Sequence, residues 1–131
     1  MSRDRPLNAA VFASGSGSNF QALLDAEDAE GNPWRTVLLI SDRSSAKALE
    51  RAESAGVDAR VIEVSRRPAE EVATEMLEAL ESAGVEVVFL AGYLRLVPAP
   101  VVDRFRNRIL NIHPALLPAF GGKGMWGRHV H

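Results

Sequence analysis

The sequence predicts an α/β fold, a Rossmann-like, largely parallel sheet with helices on both faces. Three observations carry that prediction. Five short apolar runs alternate with amphipathic stretches along the chain, which is how βα units read before they stack into a parallel sheet. One of those runs, Val-Glu-Val-Val-Phe-Leu-Ala at 85–91, is apolar almost throughout, as a strand covered on both faces must be. A Gly/Ser loop stands between the first apolar run and the first amphipathic one, where doubly wound sheets turn from strand into helix.

Each element follows from its own residues. Residues 7–14 form the first apolar run, a strand. From Asn19 to about residue 30, Phe20, Leu23 and Leu24 recur on one helical face, until Gly31-Asn32-Pro33 breaks the helix. Residues 34–41 read as the second strand. Ser44 or Ser45 can cap a helix running to Ala55, which Gly56 ends. Residues 57–64 are a third strand. Ser65 to Pro68 open a long helix to Ala83, with Val72, Met76, Leu77 and Leu80 on one stripe, and Gly84 closes it. The fourth strand, 85–91, is expected near the centre of the sheet. A loop at 92–97 leads to a short helix at 98–105, whose first turn tolerates proline. The fifth strand is 108–112.

Composition narrows the function. The 131 residues suit one domain, 1–131, and 47% are hydrophobic, enough for a real core. A net charge of -2 gives no electrostatic footprint for nucleic acid or an acidic membrane. The absence of cysteine excludes thiolate zinc sites and a cysteine nucleophile. No stretch approaches the roughly 18 apolar residues of a membrane span, and no signal-peptide pattern opens the chain. The expectation is a cytoplasmic protein with small-molecule partners, no nucleic acid, no membrane and no metal.

Two motifs carry chemistry. After the first strand comes Ser14-Gly15-Ser16-Gly17-Ser18-Asn19. Its glycines allow positive φ and a close ligand approach, and the helix start beyond it presents free N–H groups and a positive dipole end, which suit phosphate. A tight turn without a ligand is the plain reading. A dinucleotide site is a third, with Asp42 placed to hold a ribose, but Phe20 stands where that fingerprint needs its last glycine. The second motif is Leu110-Asn111-Ile112-His113-Pro114-Ala115-Leu116-Leu117-Pro118. Asn111 and His113 are two apart, so on a strand they share a face, and Pro114 forces the strand to open there into a loop. Taken alone, the pair reads first as two satisfied core polar residues.

Taken together, the motifs resemble the phosphoribosylglycinamide formyltransferases, folate-dependent enzymes of purine synthesis. The matching pieces are Ala13-Ser14-Gly15-Ser16-Gly17-Ser18-Asn19-Phe20-Gln21-Ala22, then Leu90-Ala91-Gly92-Tyr93-Leu94-Arg95-Leu96-Val97, then the 110–118 motif. That last motif is shared with other formyl-folate enzymes, and the glycine loop singles out this family among them. The resemblance implies formyl transfer from 10-formyltetrahydrofolate to the amine of 5-phosphoribosylglycinamide. By position it implies that Gly17, Ser18 and Asn19 hold the substrate phosphate. Leu94, Arg95, Leu96 and Val97 line the folate pocket, largely through backbone groups. Asn111 hydrogen-bonds the formyl oxygen, and His113 is the catalytic acid/base. Tyr93 is expected to pack against the pocket.

Two departures qualify the resemblance. The family's catalytic aspartate falls downstream of the histidine, past His131, so the sequence reads as the family's N-terminal portion. For the chain as given, the alternative reading is a phosphate-binding fragment without full catalysis; a nicotinamide-dependent dehydrogenase ranks below it. The expectation is also that residues 118–131 are poorly tied down and that one edge or face of the sheet stays apolar and exposed, with homodimer formation one way to cover it. Members of the family also place a folate-binding arginine at the start of the third helix. Here that register gives Pro68-Ala69 with Arg67 nearby, and no residue is assigned.

Overall fold

A computed structural model of the chain describes residues 5–112. The elements run β1 (Leu7–Phe12), α1 (Ser18–Ala26), β2 (Trp34–Ser41), α2 (Lys47–Ala55), β3 (Asp58–Val61), α3 (Ala69–Ser82), β4 (Val87–Leu90), α4 (Ala99–Arg104) and β5 (Ile109–Asn111). The strands pair in parallel in the order β3-β2-β1-β4-β5. The chain therefore winds outward from β1 through β2 to β3, then returns to the other side of β1 for β4 and β5. Successive connections leave β1 and β4 in opposite directions. In open α/β sheets such a switch point opens a crevice at the C-terminal ends of the strands, and ligands occupy it.

Alternation along each strand separates two apolar layers. Val11, Leu39 and Phe89 pack with Phe20 and Leu23 of α1 and with Ala48 and Ala52 of α2. Phe12, Ile40 and Val88 pack on the other face with Val72, Met76 and Leu80 of α3 and with Val101 and Phe105 beside α4. Burying each large apolar side chain contributes about 1.5–3 kcal/mol, so the two layers fix which side of the sheet each helix takes. Trp34 and Phe89 meet edge to face at 5.4 Å in the first layer. Between Ala9 and Ala10 the pairing slips: Thr36 lies opposite Ala9 and Leu38 opposite Ala10. The extra residue, Val37, turns with Leu38 toward the second layer.

The boundaries differ from expectation for identifiable reasons. The first helix ends at Ala26, and Glu27 and Asp28 continue only as turns, their N–H groups bonding three residues back. No serine caps α2. Ala46 is its N-cap, without a side-chain bond, and one of its orphan donors, the Ala48 N–H, is taken by the Gly15 carbonyl at 3.2 Å. The glycine loop thus replaces Ser44 and Ser45 as the cap. β3 is shorter than 57–64 and exposed throughout. It is an edge strand, and Asp58 and Arg60 blunt that edge with charge. Gly56, at φ 73, ends α2 as expected.

The expected apolar exposure falls elsewhere than expected. Ile109 and Leu110 of β5 are half-buried against the two layers. The most exposed large apolar side chains among the described residues are Leu94 and Leu96, at 70% and 93%, in the loop after β4. His113 and the 118–131 segment lie outside the described residues. No helix among the described residues is long and apolar enough to cross a membrane.

Candidate functional site

The ends of β1, β2 and β4 meet at the switch point, and one side chain joins two loops there. Ser14 is fully buried. Its N–H donates to the Gly92 carbonyl at 3.2 Å, and its Oγ accepts from the Leu94 N–H at 2.8 Å. The glycine loop after β1 and the 92–97 loop after β4 are therefore held as one surface.

Within the first loop only one of the two glycines takes positive φ. Gly17, at φ 78, is the N-cap of α1, whereas Gly15 is not in that region. A Cβ on Gly17 would lie 2.8 Å from both Cα and Cβ of Ala48, so glycine is required both by conformation and by the approach of α2. The Gly17 carbonyl accepts the Gln21 N–H at 2.7 Å, starting the helix. The N–H groups ahead of Gln21 have no acceptor within a helix, and no acidic residue stands in the first turn to offset the positive dipole end. Ser18 is exposed and Asn19 half-buried there. Arg51 of α2 braces the loop, donating from Nε to the Ser16 carbonyl at 2.8 Å and from Nη1 to Gln21 Oε1 at 3.4 Å. The Ser18 N–H reaches Ser16 Oγ at a long 3.4 Å, and the geometry places a cation beside the amides of a helix start, an arrangement that suits an anion.

Asn111 lies exposed at the end of β5, paired in register with Leu90. Strand alternation puts it on the face of Ile109, which packs on the second layer, as do Tyr93 and Val97 of the 92–97 loop. The structure thus brings Asn111 and that loop to one face of the sheet. Its expected partner, His113, falls beyond the described residues. In the loop, the exposed Leu94 and Leu96 flank Arg95, whose side chain is 40% exposed. Val97 is half-buried. Arg67, beside α3, is engaged by acids, with Glu71 at 2.9 Å and Glu75 at 2.7 Å.

Asp42 departs from one weighed role. Its carboxylate is fully buried, and Oδ2 accepts from Arg95 Nε at 3.0 Å. A ribose-holding acid has to face the ligand. The dinucleotide reading loses its acidic residue as well as its third glycine.

Tyr93 packs its ring edge-on to Phe12 at 5.2 Å, as expected of a residue that supports the loop. Burial, aided by the negative charge of Asp42, pushes its phenol up to about 12. Unfolded, the same phenol ionises near ~10. Below that pH its protonation contributes no pH dependence. Above it the unfolded chain loses the proton first, so stability falls from about pH 10 and continues to fall until the folded phenol ionises near 12. Tyr93 is the only tyrosine in the chain, so phenolate absorbance followed against pH reads this residue alone. Ionisation near pH 10 in the folded chain would contradict the burial. Tyr93→Phe should flatten the alkaline loss of stability.

Sequence reasoning missed Ser14, Arg51 and the Asp42–Arg95 pair. A small polar residue closing an apolar strand was the visible sign for Ser14. Nothing in local spacing links Asp42 with Arg95, because the sheet order brings them together. A concavity of about 570 Å³ at the opposite, N-terminal end of the strands, bordered by Glu27, Arg35, Thr36 and Asp58, touches none of the residues expected in the site.

Comparison with known proteins identifies the family. The formyl transferase family matches residues 7–129. The chloroplastic phosphoribosylglycinamide formyltransferase of Arabidopsis thaliana is 43% identical over 93% of this chain and 42% of its own length. The crystal structure of glycinamide ribonucleotide transformylase 1 from Geobacillus kaustophilus superposes with a TM-score of 0.77 at 41% identity, over 95% of this chain and 66% of that one. That of phosphoribosylglycinamide formyltransferase from Streptococcus pneumoniae TIGR4 gives 0.70 at 34% identity, over 95% and 68%. The chain thus spans under half the length of the Arabidopsis protein and about two thirds of these solved chains. The chain belongs to the formyl transferase family, among the phosphoribosylglycinamide formyltransferases.

Proposed function

We propose that this chain supplies the ribonucleotide-phosphate site and much of the folate site of an enzyme that transfers a formyl group from 10-formyltetrahydrofolate to the amine of 5-phosphoribosylglycinamide. The observation that carries the reading is the joining of two loops through Ser14, with an open helix end on one side and the exposed 92–97 loop and Asn111 on the other. Amides around Gly17, Ser18 and Asn19 take the phosphate dianion. The backbone of Leu94, Arg95, Leu96 and Val97 takes the folate ring. Its partners in this reading are these two small molecules, with no nucleic acid or membrane among them.

The chemistry follows from Asn111, at the end of β5, and from His113, two residues further along the sequence. The substrate amine attacks the formyl carbon, and a C–N bond forms while negative charge gathers on the formyl oxygen. Asn111 donates a hydrogen bond to that oxygen. The attacking amine gives up a proton, the bond from carbon to N10 of the folate breaks, and N10 receives a proton. An imidazole, with an ordinary pKa of about 6.5, suits His113 to that relay. No covalent enzyme intermediate is required.

The test is residue-resolved. Addition of 5-phosphoribosylglycinamide to the isotope-labelled chain should shift the amide resonances of Gly17, Ser18 and Asn19 before any others. Inorganic phosphate should shift the same set more weakly. Shifts confined to other regions would remove the glycine loop from the site. Formyl transfer by the intact protein, followed as release of tetrahydrofolate, tests the reaction itself.

A further inference from the structure

We infer that Asp42 is a positioning residue for the folate, acting through Arg95 to hold the backbone of the 92–97 loop in its ligand-binding conformation. The inference rests on the formyl-folate reading of that loop and assigns Asp42 a function in it.

The pair has features that a stabilising ion pair lacks. Asp42 is fully buried, yet only Oδ2 has a donor, the Arg95 Nε at 3.0 Å. Oδ1 is buried with no hydrogen-bond partner. A buried carboxylate left half-satisfied opposes folding, and burying an ion pair seldom gains stability over an apolar replacement. Arg95 itself is only partly withdrawn from water, its side chain 40% exposed. What the contact does achieve is geometric. Arg95 sits between Leu94 and Leu96, the two most exposed large apolar side chains among those described. Tyr93 and Val97 anchor the two ends of the loop in the second apolar layer, but the exposed Leu94 and Leu96 give its middle no apolar anchor, so the conformation there depends on polar tethers.

Beyond the Gly92 carbonyl, which accepts the Ser14 N–H at the start of the loop, two tethers hold its middle, and they come from different strands. Ser14, at the end of β1, accepts the Leu94 N–H at 2.8 Å. Asp42, at the end of β2, accepts from the Arg95 side chain. Two successive residues of the loop are fixed to two neighbouring strand ends, which sets both the position and the rotation of the peptide units between them. Tyr93 completes the support from beneath, with its ring against Phe12 and its hydroxyl buried without a partner. Removal of the Asp42 tether leaves the loop attached at Leu94 but free to swing beyond it, so the folate must order it on binding. The phosphate loop keeps its own supports, Ala48 and Arg51, and is not loosened.

Selective loss of folate affinity is therefore the signature. In the intact protein, Asp42→Ala should weaken binding of 10-formyl-5,8-dideazafolate, a stable analogue of the formyl donor, by about tenfold, the scale of a lost charge-assisted hydrogen bond. Binding of 5-phosphoribosylglycinamide should change by less than about twofold, and the melting temperature should not fall in proportion. Asp42→Asn keeps an oxygen that accepts from Arg95 Nε and should restore most of the affinity. Arg95→Met breaks the same tether from the exposed side; it leaves the Asp42 carboxylate without a donor and lowers the melting temperature, and at a temperature where the variant stays folded it should reproduce the selective loss. Unchanged analogue affinity in Asp42→Ala or Arg95→Met overturns the inference and leaves the folate reading standing. Equal weakening of both ligands overturns it too, because a general loss of structure then explains the effect. Failure of the unsubstituted protein to bind the analogue overturns the folate reading itself, and this inference with it.

Discussion

Gly17→Ala should lower stability by about 2–5 kcal/mol and abolish detectable binding of 5-phosphoribosylglycinamide. The expectation has two independent sources. Gly17 sits at φ 78, where an L side chain is strained. Its missing Cβ would also lie 2.8 Å from Ala48 Cα and Cβ. The Arg51 side chain, at 3.1 Å, can swing away, but Ala48 Cα is helix backbone and fully buried, so α2 itself has to shift. That shift pulls on the Gly15 carbonyl, which accepts the Ala48 N–H, and so distorts the loop that would grip the phosphate. Gly15→Ala is the matched control for stability, since a Cβ there meets nothing within 4 Å and Gly15 does not have positive φ; its cost should stay within about 0.5 kcal/mol. Urea unfolding of the two variants beside the parent, with ligand titration of Gly17→Ala, decides the matter. Parent-like stability and affinity in Gly17→Ala would show that the loop tolerates a side chain and that its glycine is incidental.

What was legible in the chain was what short-range chemistry writes. Trp34–Ser41 carries the unbroken apolar run Val37–Ile40 and closes in Ser41, and its bounds match the sequence reading. Val72, Met76 and Leu80 share the buried stripe that their spacing predicts. The glycine loop and the 92–97 loop, both named by the family motifs, come together at the C-terminal ends of β1 and β4. The illegible parts depend on distant neighbours. The start of α2 could not be read from Ser44 and Ser45, because the acceptor that helps cap it lies on the Gly15 carbonyl, in another loop. The edge position of β3 leaves Val61 37% exposed where an interior strand would bury it, and a local apolar run does not reveal whether its strand is interior. Asp42 stands at a strand end, where an acid could hold a ribose, and only the sheet order, which sets β2 two places from β4, shows Arg95 reaching it.

Asn111→Ala in the intact protein should lower kcat by about 10²–10³-fold while the KM for both substrates moves little. The basis is its place: exposed at the end of β5, on the face shared with Tyr93 and Val97, and opposite Leu90 in register. A residue so exposed contributes little to stability, so the variant should unfold within about 1 kcal/mol of the parent. Loss of rate without loss of stability or binding is what separates a group that meets the reacting oxygen from one that shapes the pocket. His113→Ala should lower kcat by roughly 10²-fold or more, the scale of lost acid–base catalysis, and should flatten the limb of the pH–rate profile that a titrating imidazole produces. Asn111→Ala should leave that limb in place, since an amide does not titrate. The double variant is the sharper measurement. If both side chains serve one tetrahedral intermediate, the second substitution costs much less than it does alone, as is found for groups that act as a unit. Fully multiplicative losses would mean that the two act at separate steps, and an unchanged kcat in Asn111→Ala would take the amide out of the chemistry and return it to the role of a polar residue that merely closes a strand.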